Sequence, residues 1–132
     1  MTLDGGEGGR EIAERWDRIF RCLAAEPRRQ VIWSLLDTAP GEPVALPEAT
    51  IDPKSQEDLD SLRVELCHLH LPLMAEMGFV EWETDPLTAT HGPRFEEVRA
   101  LFEAALANVE ELPDQLVEGC HRLETERQPP SG

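Results

Sequence analysis

Between Leu59 and Met77 the apolar side chains fall on interleaved helical stripes. Leu59, Leu62, Leu66, Leu69 and Leu73 follow one, and Val64, Cys67, Leu71 and Met74 the other. This three-and-four spacing predicts a long helix from Asp58 to Met77 that is apolar most of the way round. Gly78 supplies the stop, because a residue without Cβ enters the left-handed C-cap conformation without strain. The pattern then changes. Phe79 to Glu83 is rich in strand formers and alternates in its second half, Thr84-Asp85-Pro86 reads as a turn, and Leu87 to Thr90 as a returning strand ended by His91-Gly92-Pro93. Inside the long helix, Pro72 has no N–H for the carbonyl of His68 and its ring crowds that group, so a bend is expected there.

Upstream, Ile12, Trp16, Ile19, Phe20 and Leu23 lie at helical spacing between Arg10 and Ala25, with Glu14, Arg18 and Arg21 toward the other face. Glu26-Pro27 breaks this segment, and Pro27 fits the first turn of a second helix that buries Val31, Ile32, Leu35 and Leu36. Ala39 to Pro43 is a loop, Val44-Ala45-Leu46 suffices for a minimal strand, and Pro47 to Thr50 for one helical turn, followed by an irregular polar stretch from Ile51 to Glu57. Beyond the hairpin, Phe95, Val98, Leu101, Phe102, Leu106 and Val109 share a helical face. Pro113 interrupts that helix, and Asp114 to Leu123 continues it with Leu116, Val117, Cys120 and Leu123.

The order of elements predicts a mostly α fold with a small β-hairpin, namely a winged helix-turn-helix with an added C-terminal helix. Residues 1–9 are expected to be a disordered, glycine-dominated lead, 10–93 the winged-helix domain, 94–123 a C-terminal helical extension and 124–132 a flexible tail.

The formal charge of -15, with Lys54 the only lysine, changes the picture of the surface. Whole-protein repulsion opposes non-specific attraction to phosphate backbones. An acidic, lysine-poor surface also suits multimolar salt, where the Debye length shrinks to roughly 3 Å or less and the repulsion is screened. The composition therefore describes the solvent, a halophilic cell, better than the partner. No apolar run reaches membrane-spanning length or the form of a signal peptide, so a cytoplasmic protein with no membrane partner is expected. Cys22, Cys67 and Cys120 each fall inside a helical pattern and read as buried thiols rather than a disulfide framework.

In a winged helix the segment from Asp58 would enter a DNA major groove, presenting Ser61, Arg63, Glu65 and His68. Arg63 suits a guanine edge or a phosphate, and Ser61 and His68 supply hydrogen bonds. Arg28 and Arg29, at a helix start, suit backbone phosphates. The neighbouring Arg15, Arg18 and Arg21 lie within helical reach of Glu11, Glu14 and Asp17, which favours surface ion pairs. Phe95, Val98, Leu101, Phe102, Leu106 and Val109 are the candidate homodimer face, with packing onto the first helix as the alternative. Cys67 and His70 share a helix side at ligand-like spacing, but no paired motif accompanies them, and neither a metal nor a cofactor is expected. No nucleophile-base or phosphate-loop arrangement points to an enzyme.

Three runs carry a resemblance: Glu26-Pro27-Arg28-Arg29-Gln30-Val31-Ile32, then Leu66-Cys67-His68-Leu69-His70-Leu71-Pro72-Leu73-Met74, then Met77-Gly78-Phe79-Val80. Over roughly Ile12 to Thr90 the chain resembles haloarchaeal winged-helix proteins related to ArsR-type regulators. The resemblance implies a DNA-binding transcription regulator acting as a dimer, and marks His70 and Pro72 as family features. The alternative is a protein-interaction module that kept the fold and lost DNA binding.

Overall fold

The computed structural model describes residues 7–50, 58–118 and 120–127. Two helices come first, α1 (Glu7–Leu23) and α2 (Glu26–Leu36), and Pro27 sits in the opening turn of α2, where no backbone donor is needed. A short strand β1 (Val44–Ala45) and a 3₁₀ turn (Glu48–Thr50) follow. The long helix consists of α3 (Leu59–Glu65), a π-helical turn (Leu66–His70) and α4 (Leu71–Glu76). It leads into the hairpin β2 (Val80–Glu83) and β3 (Thr88–His91). Helix α5 (Phe95–Ala107), a second 3₁₀ turn (Val109–Glu111), α6 (Asp114–Val117) and α7 (His121–Arg127) complete the described chain. The fold is thus mostly helical with one small antiparallel sheet, in which β3 lies between β1 and β2 and Ala89 stands opposite both Val44 and Trp82.

Both ends of the expected domain plan shift. α1 begins at Glu7 rather than Arg10, while residues 1–6 of the expected lead lie outside the described residues. Residues 124–127 belong to α7 rather than a tail, because Arg127 reaches back to the carbonyls of Val109 and Leu112 and to Asp114 at 2.8 Å. Residues 128–132 and the polar stretch from Ile51 to Glu57 are outside the described residues. Among the described residues no helix is long and apolar enough to cross a membrane.

The bend expected at Pro72 takes the form of the π-helical turn just before it. The Leu71 amide donates to the Leu66 carbonyl, five residues back, so the ladder widens where the proline ring would otherwise press on the preceding turn. The extra residue also re-phases the helix. Leu62, Leu66, Leu71 and Met74 all reach the core, whereas Leu59, Val64 and Leu69, expected to pack as well, face outward. The helix ends at Gly78 (φ 87°), with the Gly78 amide on the Ala75 carbonyl and that of Phe79 on Met74, both at 3.0 Å.

Helix α5 packs chiefly on α2, where the alternative reading had α1. Trp33 meets Phe102 edge to face at 4.3 Å, and Phe95, Val98, Phe102 and Val109 are buried in the chain's own core. The expected homodimer face is corrected accordingly: its strongest members are already covered, and only Leu101 and Leu106 remain half-buried. Arg122 of α7 adds a strap over Trp33, with its guanidinium bidentate on Asp37 at 3.0 and 3.1 Å.

Candidate partner-binding face

The long helix divides its residues sharply between core and solvent. Asp58 caps its start by accepting from the Asp60 amide and the Ser61 hydroxyl, each at 3.0 Å, and these hydrogen bonds hold its carboxyl below the usual range. With Leu62, Leu66 and His70 turned inward, three-and-four spacing leaves Ser61, Val64, Glu65, His68 and Leu69 on the open side. Leu59, Val64 and Leu69 are 44, 58 and 52 % exposed. Arg63, expected on this surface, is half-buried. Over residues 58–69, the exposed charged side chains are acids: Asp58, Asp60 and Glu65. The hairpin that follows the long helix continues the trend with exposed Glu81, Glu83 and Asp85. The face is therefore apolar and acidic.

Beneath it lies a buried polar join between helices. Arg28, expected to meet phosphate, is buried, and its Nε donates to the Cys22 carbonyl at 3.2 Å. Its Nη1 donates to His70 Nδ1 at 3.0 Å, and because a guanidinium only donates, Nε2 carries the proton of the neutral imidazole. That Nε2 has no hydrogen-bond partner, with Glu65 Oε1 3.9 Å away. Burial lowers the His70 pKa, Arg28 lowers it further, and Glu65 opposes both. Burial pushes the Cys22 thiol up to about 12. Arg28 is thus removed from any surface site: it holds α1, α2 and the π-helical turn together. Arg29 remains exposed and donates to the Leu23 carbonyl at the end of α1 at 2.6 Å. Ser61 and His68 stay on the open side as expected. Cys67 is half-buried and His70 is engaged by Arg28. Among the described residues no group of three or more His, Cys, Asp or Glu is placed to hold a metal ion.

Two surface features escaped the sequence reading. Ile12, Trp16 and Phe20, read as packing residues, are exposed on α1, because α5 covers α2 instead. A hollow of about 720 Å³ opens between α2, α5 and the C-terminal turns, walled by Trp33, Leu101, Phe102, Leu112 and Leu123, with the Cys120 residue at its edge. Only the clustering of apolar residues after Pro113 hinted at it. No curated protein and no solved structure matches the chain. The family model of a domain of unknown function, DUF7344, matches residues 20–91, from the last turn of α1 to the end of β3. That stretch spans more than half of the chain and contains the Arg28–His70 join and the open side of the long helix, and the chain belongs to the DUF7344 family.

Proposed function

We propose that this chain is a winged-helix module that docks a protein partner through the open side of its long helix. One observation carries the reading: the side formed by Ser61, Val64, Glu65, His68 and Leu69 offers large apolar groups and a carboxylate, and Arg63, the one basic residue other than histidine among the described residues 58–77 of this helix, is half-buried. Exposed apolar clusters rimmed by polar groups are the signature of protein contacts. A phosphate backbone calls for arginine or lysine at the same place. The hairpin that follows is acidic as well, and the -15 charge suits a high-salt cytoplasm.

A second reading, a dimeric DNA-binding transcription regulator related to the ArsR-type group, is favoured by the element order and by the exposure of Ser61 and His68 at the outward half of the helix. In molar salt the repulsion from Glu65 is screened within a few ångströms, about the Debye length there. One experiment separates the two. Purified protein is titrated against fluorescent genomic fragments, its own upstream region included, in molar potassium chloride with excess competitor. The docking reading expects no fragment-selective binding, together with a stoichiometric protein complex that Leu69→Glu abolishes. Saturable, selective DNA binding weakened by Arg63→Ala would overturn it in favour of the regulator.

A further inference from the structure

The hollow of about 720 Å³ between α2, α5 and the C-terminal turns falls within the roughly 300–1,000 Å³ that small-molecule sites occupy. Its walls are mainly apolar. Trp33 and Phe102 are the buried part, Leu101 and Leu112 are half-buried, and Leu116 stands 61 % exposed to the same space. The charged side chains that line it are three: Glu26 and Arg29 from the start of α2, and Glu118 from the end of α6.

Those three charges narrow the occupant. The Arg29 Nη1 donates to the Leu23 carbonyl at 2.6 Å, which anchors the guanidinium at the corner of α1 and α2 and leaves its other N–H groups without a partner among the described residues. Glu26, three positions earlier on the same helix, lines the same space. Among the described residues no ion pair joins it, or Glu118, to Arg29 or to any other cation. A plain carboxylate entering the hollow would meet two groups of its own sign, and a plain amine would meet the guanidinium. A molecule carrying both charges satisfies Arg29 with its carboxylate and Glu26 with its ammonium. Side chains three positions apart on a helix have Cβ atoms about 5–6 Å apart, so the two charges of the ligand must sit close together, as they do on the single α-carbon of an amino acid. Gln30, next along and half-buried, offers its amide to either group. Such a ligand is neutral overall, and the net charge of -15 does not repel it. The apolar walls receive its side chain.

We propose that this hollow binds a free α-amino acid with a large apolar side chain, its carboxylate on Arg29 and its ammonium on Glu26. None of the residues lining it belongs to the long helix, and the proposal stands whichever partner that helix takes. Isothermal titration calorimetry of the full chain in molar potassium chloride tests it, with L-phenylalanine, 3-phenylpropionate and phenethylamine as probes. The second lacks the ammonium and the third the carboxylate. Saturable one-to-one binding of L-phenylalanine is expected, tighter than either analogue by about tenfold or more, as loss of one charge-assisted contact implies. Glycine, which has no side chain to bury, should give no binding. Glu26→Gln should abolish the preference over 3-phenylpropionate, and Arg29→Gln the preference over phenethylamine, each leaving the other preference in place. Both positions are exposed, so the circular dichroism spectrum of each variant should match that of the parent. Absence of binding by L-phenylalanine, L-leucine and L-methionine at millimolar concentration would overturn the site. Equal or tighter binding of either analogue or of glycine would overturn the amino-acid assignment, and preferences indifferent to both substitutions would overturn the roles of Arg29 and Glu26.

Discussion

A guanidinium withdrawn from water needs acceptors in more than one direction, and Arg28 finds them in the Cys22 carbonyl and His70 Nδ1. Alanine there would leave both acceptors buried and unpaired, so Arg28→Ala should lower stability by about 2–3 kcal/mol in urea unfolding at fixed salt. Lysine keeps the charge but not the fork, and Arg28→Lys should recover only part of the loss. His70 adds a pH dependence. Its folded pKa is depressed, mainly by burial and then by Arg28, so below the unfolded value of about 6.5 the unfolded chain takes up a proton that the folded chain refuses. The stabilisation is therefore complete above that pH and is lost as pH falls toward the folded pKa. The urea midpoint should fall with acidification in this window, and His70→Gln should flatten that part of the slope; an equal slope in the variant would acquit His70. The sequence puts Arg28 at a helix start, which reads as turning it outward to a phosphate, whereas it is buried. A residue near the corner of two helices faces solvent or core according to the corner angle, which no local pattern encodes.

At the scale of elements, the chain crosses itself where the long helix hands over to the hairpin. The Gly92 amide donates to the Phe79 carbonyl at 3.0 Å, and the Arg94 amide to Gly78 at 2.7 Å. A Cβ on Gly92 would come within 2.5 Å of the Gly78 carbonyl oxygen and 2.6 Å of the Val80 nitrogen. On Gly78 it would meet only the Arg94 side chain, at 3.1 Å, while having to hold a left-handed φ. Gly78→Ala should therefore cost about 1–2 kcal/mol. Gly92→Ala, which must move backbone, should cost more, and thermal unfolding of the two variants will rank them. Helix existence, the Gly78 stop and the hairpin were legible because propensity, period and turn chemistry agree over 59–91. The facing of the long helix was not. A strict 3.6-residue period puts Leu69 inward, and only the widened turn before Pro72 turns it out while carrying Leu71 in. The candidate face was legible as a location, and its two hydrogen-bonding residues with it. Its apolar, acidic character waited on Arg63 and Val64 being placed.

Over the whole molecule, a charge of -15 on 132 residues repels itself unless the solvent screens it. The unfolding temperature should rise from dilute buffer to molar potassium chloride, and a flat response would mean that the acids sit too far apart to matter. Buried apolar surface supplies the cohesion that this repulsion opposes. Part of it gathers around α2, which receives α5 through Trp33 and Phe102 and α7 through Arg122. The partners of Trp33 thus come from the far end of the chain, Arg122 meeting Asp37 across 85 positions of sequence. During synthesis, α2 leaves the ribosome long before anything that will roof it. Until α5 and α7 have followed, the nascent chain carries an open tryptophan-lined wall, and its acidic surface is what guards it against neighbours in the interval.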